Sequence, residues 1–381
     1  MRYFIIAGEA SGDIHGAQLI TAIKAHDAEA KFQFLGGDLM AQAAGAVPLI
    51  HYRDMAFMGF IEVLKHLKSI MGFLKTAKRA IQDNRPDALV LIDYPSFNLK
   101  MAKFAFEQGI PAFYFISPKV WAWKEYRVKS IKKYIARMFT ILPFETEFYR
   151  RHDYEVAYVG NPTVKEIAQA GEKFRDFKGF AAVNGLDPHK PIIALVPGSR
   201  RKEIRDNLPV MAQAAQLYPQ CQAVIAGAPG IDAILYTETL APLGVKLPVV
   251  HGQSFELVHH ARVAVVTSGT ATLEAAILKT PQVACYRMNG SPLVYRFYSL
   301  LLHGKYVTLP NLITSEGVIP ELLLHYCTVE AVAKWLDTLL ADTSQRNKML
   351  AGYKRMLDRL TTMDCADNTA QGIIKFLNER H

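Results

Sequence analysis

Four segments place small residues and charges at the ends of apolar runs, where a folded chain presents side chains to a ligand. In Gly8-Glu9-Ala10-Ser11-Gly12-Asp13-Ile14-His15-Gly16, glycines permit a tight turn and close backbone approach, and a following helix offers unbonded N–H groups. The glycines fall at intervals of four rather than as GxGxxG, which argues against a nicotinamide site. Ser11, Gly12, Asp13 and His15 are the ligand candidates, and N-capping of the helix by Ser11 or Asp13 is the structural alternative. In Leu195-Val196-Pro197-Gly198-Ser199-Arg200-Arg201-Lys202-Glu203, a fixed guanidinium beside helix N–H groups suits a diphosphate whose charge grows as it leaves. Arg200 takes that role with Ser199 beside it. Arg201 or Lys202 belongs to a solvated face, because three adjacent cations cannot all point into one site.

The third segment is Thr267-Ser268-Gly269-Thr270-Ala271-Thr272-Leu273-Glu274. Ser268, Gly269 and Thr270 can hold phosphate oxygens, and Glu274, one turn inside a helix, can accept both hydroxyls of a ribose. Ala271 stands three residues before Glu274, which rules out a capping box, whereas a plain N-cap by Ser268 or Thr270 stays open. In the fourth, Ile92-Asp93-Tyr94-Pro95-Ser96-Phe97-Asn98, Asp93 closes the apolar run 88–92. There it can take a proton from an attacking hydroxyl, or cap the turn before Pro95. No Asp-x-Asp occurs anywhere, so the usual metal clamp for a nucleotide sugar is missing and neither metal nor cofactor is expected. Arg200 and helix ends must replace it.

Such groups need rigid strands behind them. Strands expected at 2–7, 32–35, 88–92, 112–116 and 139–142 alternate with helices, the pattern breaks between residues 158 and 190, and a second series follows at 192–197, 223–226, 249–250, 264–267 and 282–286. The fold class is therefore α/β, with two Rossmann-like, doubly wound parallel-sheet domains and a cleft between them. The expected division is 1–165, 166–355 and a helical segment 356–381 that returns to the first domain. A chain of 381 residues with 50% hydrophobic content can bury two such cores. The net charge of +9 favours an anionic partner, but no nucleic-acid motif accompanies it. Four scattered cysteines without metal-site spacing fit a reducing compartment. The apolar start fails as a signal-peptide core, and no run reaches the roughly 18 apolar residues that crossing a bilayer requires. Membrane contact, if any, is peripheral. The stretch 55–79 suits it, with Met55, Phe57, Met58, Phe60, Leu64, Leu67, Met71 and Leu74 among Lys65, Lys68, Lys75, Lys78 and Arg79; the same periodicity also describes a core-facing helix. Residues 293–306 repeat the theme.

Taken together the segments resemble the lipid A disaccharide synthases, inverting glycosyltransferases of the GT-B fold, nearly end to end. The markers are the turn 7–13, Met58-Gly59, Ile92-Asp93, Ser117-Pro118-Lys119-Val120-Trp121-Ala122-Trp123, Leu142-Pro143-Phe144-Glu145, Pro197-Gly198-Ser199-Arg200, Ser268-Gly269-Thr270, Tyr286-Arg287-Met288 and Leu309-Pro310-Asn311-Leu312. The resemblance implies transfer of 2,3-diacylglucosamine from UDP to the 6-hydroxyl of 2,3-diacylglucosamine 1-phosphate, giving a β-1,6 link and UDP. It implies Asp93 as base, Arg200 and 268–270 at the diphosphate, Glu274 at the ribose, Arg287 in the nucleotide pocket and Asn311 at the active cleft. It also implies a cytoplasmic enzyme held peripherally on the inner-membrane lipid surface, with acyl chains or membrane at 55–74. Ser96, His15 and Asn161 depart from that pattern, where aspartate, leucine and histidine are frequent. His15 is either a second base or a filler of the cleft wall. The rival readings are an enzyme like UDP-N-acetylglucosamine 2-epimerase, which needs no lipid-facing stretch, and a non-catalytic peripheral lipid-binding protein.

Overall fold

The computed structural model describes residues 1–55, 67–122, 124–267, 269–287 and 306–380. They fall into two compact units, Met1–Pro162 with Thr362–His381, and Thr163–Thr361.

The first unit is built on a parallel sheet of seven strands: β1 (Arg2–Ala7), β2 (Lys31–Gly36), β3 (Ile50–His51), β4 (Ala88–Ile92), β5 (Ala112–Phe115), β6 (Arg137–Thr140) and β7 (Ala157–Tyr158). Their order is β3-β2-β1-β4-β5-β6-β7, so the chain reverses direction across the sheet between β1 and β4. Runs such as Ala-Leu-Val-Leu-Ile in β4 are buried at every position, as a parallel sheet covered on both faces requires. Along β1, Phe4 and Ile6 enter one core while Tyr3, Ile5 and Ala7 enter the other, the two-residue period of a strand.

The helix Cys365–Asn378 belongs to this unit. Ile373 and Leu377 pack in the core with Tyr3 and Ile5, and the Asp367 carboxylate meets His26 Nε2 at 2.6 Å on the helix Ala10–His26. Asp364 caps the closing helix through the N–H groups of Ala366 and Asp367.

The second unit repeats the plan with six parallel strands: β8 (Ile192–Val196), β9 (Gln222–Gly227), β10 (Val249–His251), β11 (Ala261–Thr267), β12 (Gln282–Tyr286) and β13 (Glu321–Leu323). The order β10-β9-β8-β11-β12-β13 puts its switch between β8 and β11. In sheets of this kind ligands bind beyond the carboxyl ends of the strands at the switch point. Each unit carries one such point.

Two of the candidate acyl residues are core residues. Met55, in the short helix Tyr52–Met55, and Leu74, in the helix Leu67–Asn84, are buried with Phe4, Leu89 and Met101. Their apolar period therefore faces the sheet, and neither can take lipid. Met71 points the other way and is 57% exposed, on a helix whose Lys75 and Arg79 are also exposed. Phe57, Met58, Phe60, Leu64 and the side chain of Leu67 lie outside the described residues, as does the stretch 293–305.

Candidate functional site

At the switch point of the first unit, Ala7 of β1 pairs with Ile92 of β4, and Ile92 pairs with Phe115 of β5. The residues that follow each strand are therefore neighbours. Asp93 and Tyr94 both adopt the left-handed region, at φ 43° and 46°. Two consecutive residues of this kind cost about 1–2 kcal/mol each, and the surrounding structure holds them there. The Tyr114 hydroxyl donates to the Asp93 carbonyl at 2.5 Å, the Asn98 amide donates to the carbonyls of Asp93 (2.7 Å) and Ile92 (3.2 Å), and the Tyr94 hydroxyl donates to Met55 O at 3.0 Å. Gly8 is required by the same turn. A Cβ there would stand 2.5 Å from the Tyr94 ring.

Burial pushes the Asp93 carboxyl above its ordinary value, and the Lys119 ammonium, the Tyr94 N–H and His15 pull in the opposite direction. A carboxylate raised in this way is a better proton acceptor than an ordinary one. His15 meets the Phe115 ring edge-on with centroids 6.4 Å apart, so it both lines the strand end and acts on Asp93.

The glycine turn is shorter than its sequence suggests. The helix opens at Ala10 with Glu9 as N-cap and no side-chain capping bond. Asp13 is no ligand group: its buried carboxylate accepts the N–H groups of Gly37 (2.7 Å), Leu39 (3.1 Å) and Met40 (3.1 Å), capping the helix Asp38–Ala44. Gly12 is buried and its Cβ position lies 3.1 Å from Ala7, so it serves close packing of helix on strand, while Ser11 is exposed.

The segment after β5 is anchored by a motif whose role its sequence did not disclose. Glu145 is fully buried, accepts the Trp121 indole N–H at 3.2 Å and the Leu142 N–H at 3.1 Å, and is pushed up to about 7 by burial. Phe144 packs edge-on against Trp121 with centroids 5.0 Å apart. The helix Pro143–Arg150 thereby holds the segment that carries Lys119 to Asp93.

In the second unit, Val266 of β11 pairs with Val196 of β8, and Thr267 pairs with Cys285 of β12. The turns 197–200, 269–270 and 286–287 are thus adjacent. Gly198 has φ 113°, and a Cβ on it would meet Glu203 Oε2 at 2.7 Å, so only glycine fits. Arg200 is the N-cap residue of the helix Arg201–Gln216 and is mostly exposed. Glu203 accepts the N–H groups of Ser199 (3.1 Å) and Arg200 (3.3 Å) and the Arg200 guanidinium (3.2 Å). A diphosphate at this turn must compete with that carboxylate. Lys202 is exposed and bonds the buried Asp206 carboxylate at 2.8 Å along the helix, so its charge is already engaged.

Gly269, at φ 144°, is the N-cap of the helix Thr270–Ile277 and supplies no side-chain capping bond, so Thr270 does not cap it. Ser268 lies outside the described residues. Glu274 receives a hydrogen bond from Thr270 and is pushed up to about 7, by burial first and then by the nearby Glu166 carboxylate. Arg287 is half-buried, and its N–H donates to Asn207 Oδ1 at 2.7 Å. Asn207, buried on the helix Arg201–Gln216, thereby ties the basic turn to the end of β12.

Asn311 is not a group that can reach substrate. It is 1% exposed, its Nδ2 donates to Ile319 O and Glu321 Oε1, each at 2.9 Å, and its Oδ1 accepts the N–H groups of Val318 (2.8 Å) and Ile319 (2.9 Å). It fixes the approach to β13. Asn311→Ala is therefore expected to cost about 2–3 kcal/mol of stability by orphaning buried groups, with the KM values of the folded fraction unchanged. Thermal unfolding alongside kinetics checks this, and a kcat loss at full stability would contradict it.

Two doubly wound units, each with charged and small residues at its switch point, are of the GT-B type. Over its whole length the chain resembles the UDP-GlcNAc 2-epimerase from Neisseria meningitidis bound to UDP-GlcNAc, with a TM-score of 0.65 at 13% identity and 100% of each chain covered. It also resembles CalG4, the calicheamicin glycosyltransferase, with a TM-score of 0.58 at 16% identity, covering 99% of this chain and 98% of that one. The sequence is more specific. The family model described as Lipid-A-disaccharide synthetase matches residues 3–372, and the lipid-A-disaccharide synthase of Acidobacterium capsulatum is 37% identical over 373 residues, 94% of this chain and 92% of that relative. The chain belongs to the lipid-A-disaccharide synthetase family of glycosyltransferases.

Proposed function

We propose that the chain transfers 2,3-diacylglucosamine from UDP to the 6-hydroxyl of 2,3-diacylglucosamine 1-phosphate, with inversion to a β-1,6 link. The observation that carries the mechanism is Asp93, a half-buried carboxyl held in a strained turn at the end of β4. As the acceptor oxygen attacks the anomeric carbon, its proton passes to the Asp93 carboxylate. The bond from that carbon to the β-phosphate oxygen breaks, and UDP departs with the electron pair. Arg200 and the helix start at Gly269–Thr270 offset the charge that grows on the diphosphate. Arg287 lines the nucleotide pocket beside them.

Glu274 takes the ribose. Because its carboxyl sits at about 7 and only the ionised form can accept both hydroxyls, UDP should bind more tightly as pH rises from 6 to 8, by up to about tenfold. Glu274→Gln should bind weakly at both pH values and show no such rise. Calorimetric titration with UDP decides the point; a wild-type affinity independent of pH would remove Glu274 from the ribose.

No helix of the described residues is long and apolar enough to cross a membrane. The exposed face of the helix Leu67–Asn84, with Met71, Lys75 and Arg79, is suited to peripheral contact with an anionic inner-membrane surface. The test of the whole reading uses both lipid substrates in vesicles with and without anionic lipid. It expects a β-linked disaccharide 1-phosphate by mass and proton coupling, formed faster on the anionic vesicles. An epimerised UDP-sugar with no disaccharide would sink it, and equal rates on the two vesicles would sink the surface contact.

A further inference from the structure

The acceptor named above carries a phosphate monoester as well as the reacting hydroxyl, and the surroundings of Asp93 hold cations that proton transfer does not use. Arg127, at the end of the single turn Glu125–Arg127, donates from Nη2 to the Ser96 hydroxyl at 3.0 Å. Ser96 is three residues after Asp93, in the first turn of the helix Pro95–Glu107. Arg127 also acts on the Tyr114 hydroxyl, the same hydroxyl that donates to the Asp93 carbonyl at 2.5 Å. From the other flank, Lys119 is the cation with the largest influence on Asp93. Among the described residues neither Arg127 nor Lys119 has a carboxylate within ion-pair distance. With serine rather than a carboxylate at 96, the guanidinium keeps its full charge for a ligand.

We propose that Arg127, Lys119 and the Ser96 hydroxyl form the seat for the acceptor's anomeric phosphate. The inference rests on the transferase reading and deepens it. In the acceptor, one of the two carbons flanking the ring oxygen bears the methylene that carries the 6-hydroxyl and the other bears the phosphate, so a single sugar ring spans both groups. An acceptor whose hydroxyl meets Asp93 must carry its phosphate to the rim of the same turn, where the two cations stand. A guanidinium presents paired N–H donors to phosphate oxygens, and an ammonium adds a point charge. The same two charges offset the repulsion between a phosphate dianion and the ionised Asp93. The helix Pro95–Glu107 adds its N-terminal dipole to the seat.

The experiment compares two acceptors, 2,3-diacylglucosamine 1-phosphate and its dephosphorylated form, with the unmodified protein and with Arg127→Ala, Arg127→Lys and Lys119→Ala. The unmodified protein should prefer the phosphorylated acceptor in kcat/KM. Arg127→Ala and Lys119→Ala should each shrink that preference at least tenfold through acceptor KM, with donor KM unchanged; Arg127→Ala should turn over the dephosphorylated acceptor as before, whereas Lys119→Ala should also shift the acid limb of kcat/KM with both acceptors, because Lys119 acts on Asp93. Arg127→Lys should recover part of it. Variants that keep the full preference, or lose both acceptors equally, overturn the seat; the second result assigns these residues to holding the turn. Turnover of neither acceptor by the unmodified protein overturns the transferase reading itself, and the seat with it.

Discussion

Asp93→Asn is expected to lower kcat by about 10²–10⁴-fold while UDP binds as tightly as before. Asparagine is the informative replacement because, like aspartate, it tolerates the left-handed backbone that residue 93 adopts at φ 43°. It keeps the shape and the polarity and loses only the capacity to take a proton. Asp93→Ala should be equally inactive and also less stable, since alanine is strained in that conformation. The pH dependence carries the same signature. A base whose carboxyl is raised by burial must lose its proton before it can act, so the acid limb of kcat/KM should lie above the ordinary carboxylate value of about 3.9. Removing the Lys119 charge should move that limb further up. If Asp93→Asn retains more than a tenth of the turnover, Asp93 is the cap of its turn and the base lies elsewhere.

Arg200→Ala should cost about 10²–10³-fold in kcat, because the diphosphate, already an anion in the bound donor, gains a further negative charge as UDP leaves. The loss should sit in kcat more than in donor KM, which separates transition-state stabilisation from simple binding. Arg200→Lys should rescue little, since an ammonium cannot reproduce the paired donors of a guanidinium. Glu203 sharpens the expectation. Its carboxylate holds the guanidinium at 3.2 Å and accepts the N–H groups of Ser199 and Arg200. Loss of Arg200 leaves that carboxylate uncompensated beside the diphosphate. Steady-state kinetics with varied donor measure the split, and an unchanged kcat would exclude Arg200 from the leaving group.

Strand periodicity, and the glycines and charges that follow strands 1, 4, 8 and 11, are legible in the sequence, because apolar runs and turn chemistry are local properties. The placements that misled were those decided at long range. Asp13 looked like a ligand or a cap of its own helix, yet its three bonds run to residues 37–40, a partner set that no local pattern discloses. Met55 and Leu74 share their period with an interfacial helix, and only the position of the sheet decides which face is inside. Asn311 is polar and lies in a marker motif, but three of its bonds hold the backbone of Val318 and Ile319 before β13 and the fourth holds the Glu321 carboxylate. Lys119 and Arg127 went unassigned because they reach the Asp93 turn from segments 26 and 34 residues further along the chain. Glu145 is similar: its function as anchor for Trp121 exists only once β5 and β6 lie side by side.

The central claim is a sugar transfer in which Asp93 takes the acceptor's proton. The most direct measurement is UDP release by purified protein with UDP-2,3-diacylglucosamine and 2,3-diacylglucosamine 1-phosphate in detergent, run beside Asp93→Asn. The account predicts release that requires the acceptor and is lost in the variant. Release without acceptor, or none from the unmodified protein with either acylated or unacylated donor, would contradict it.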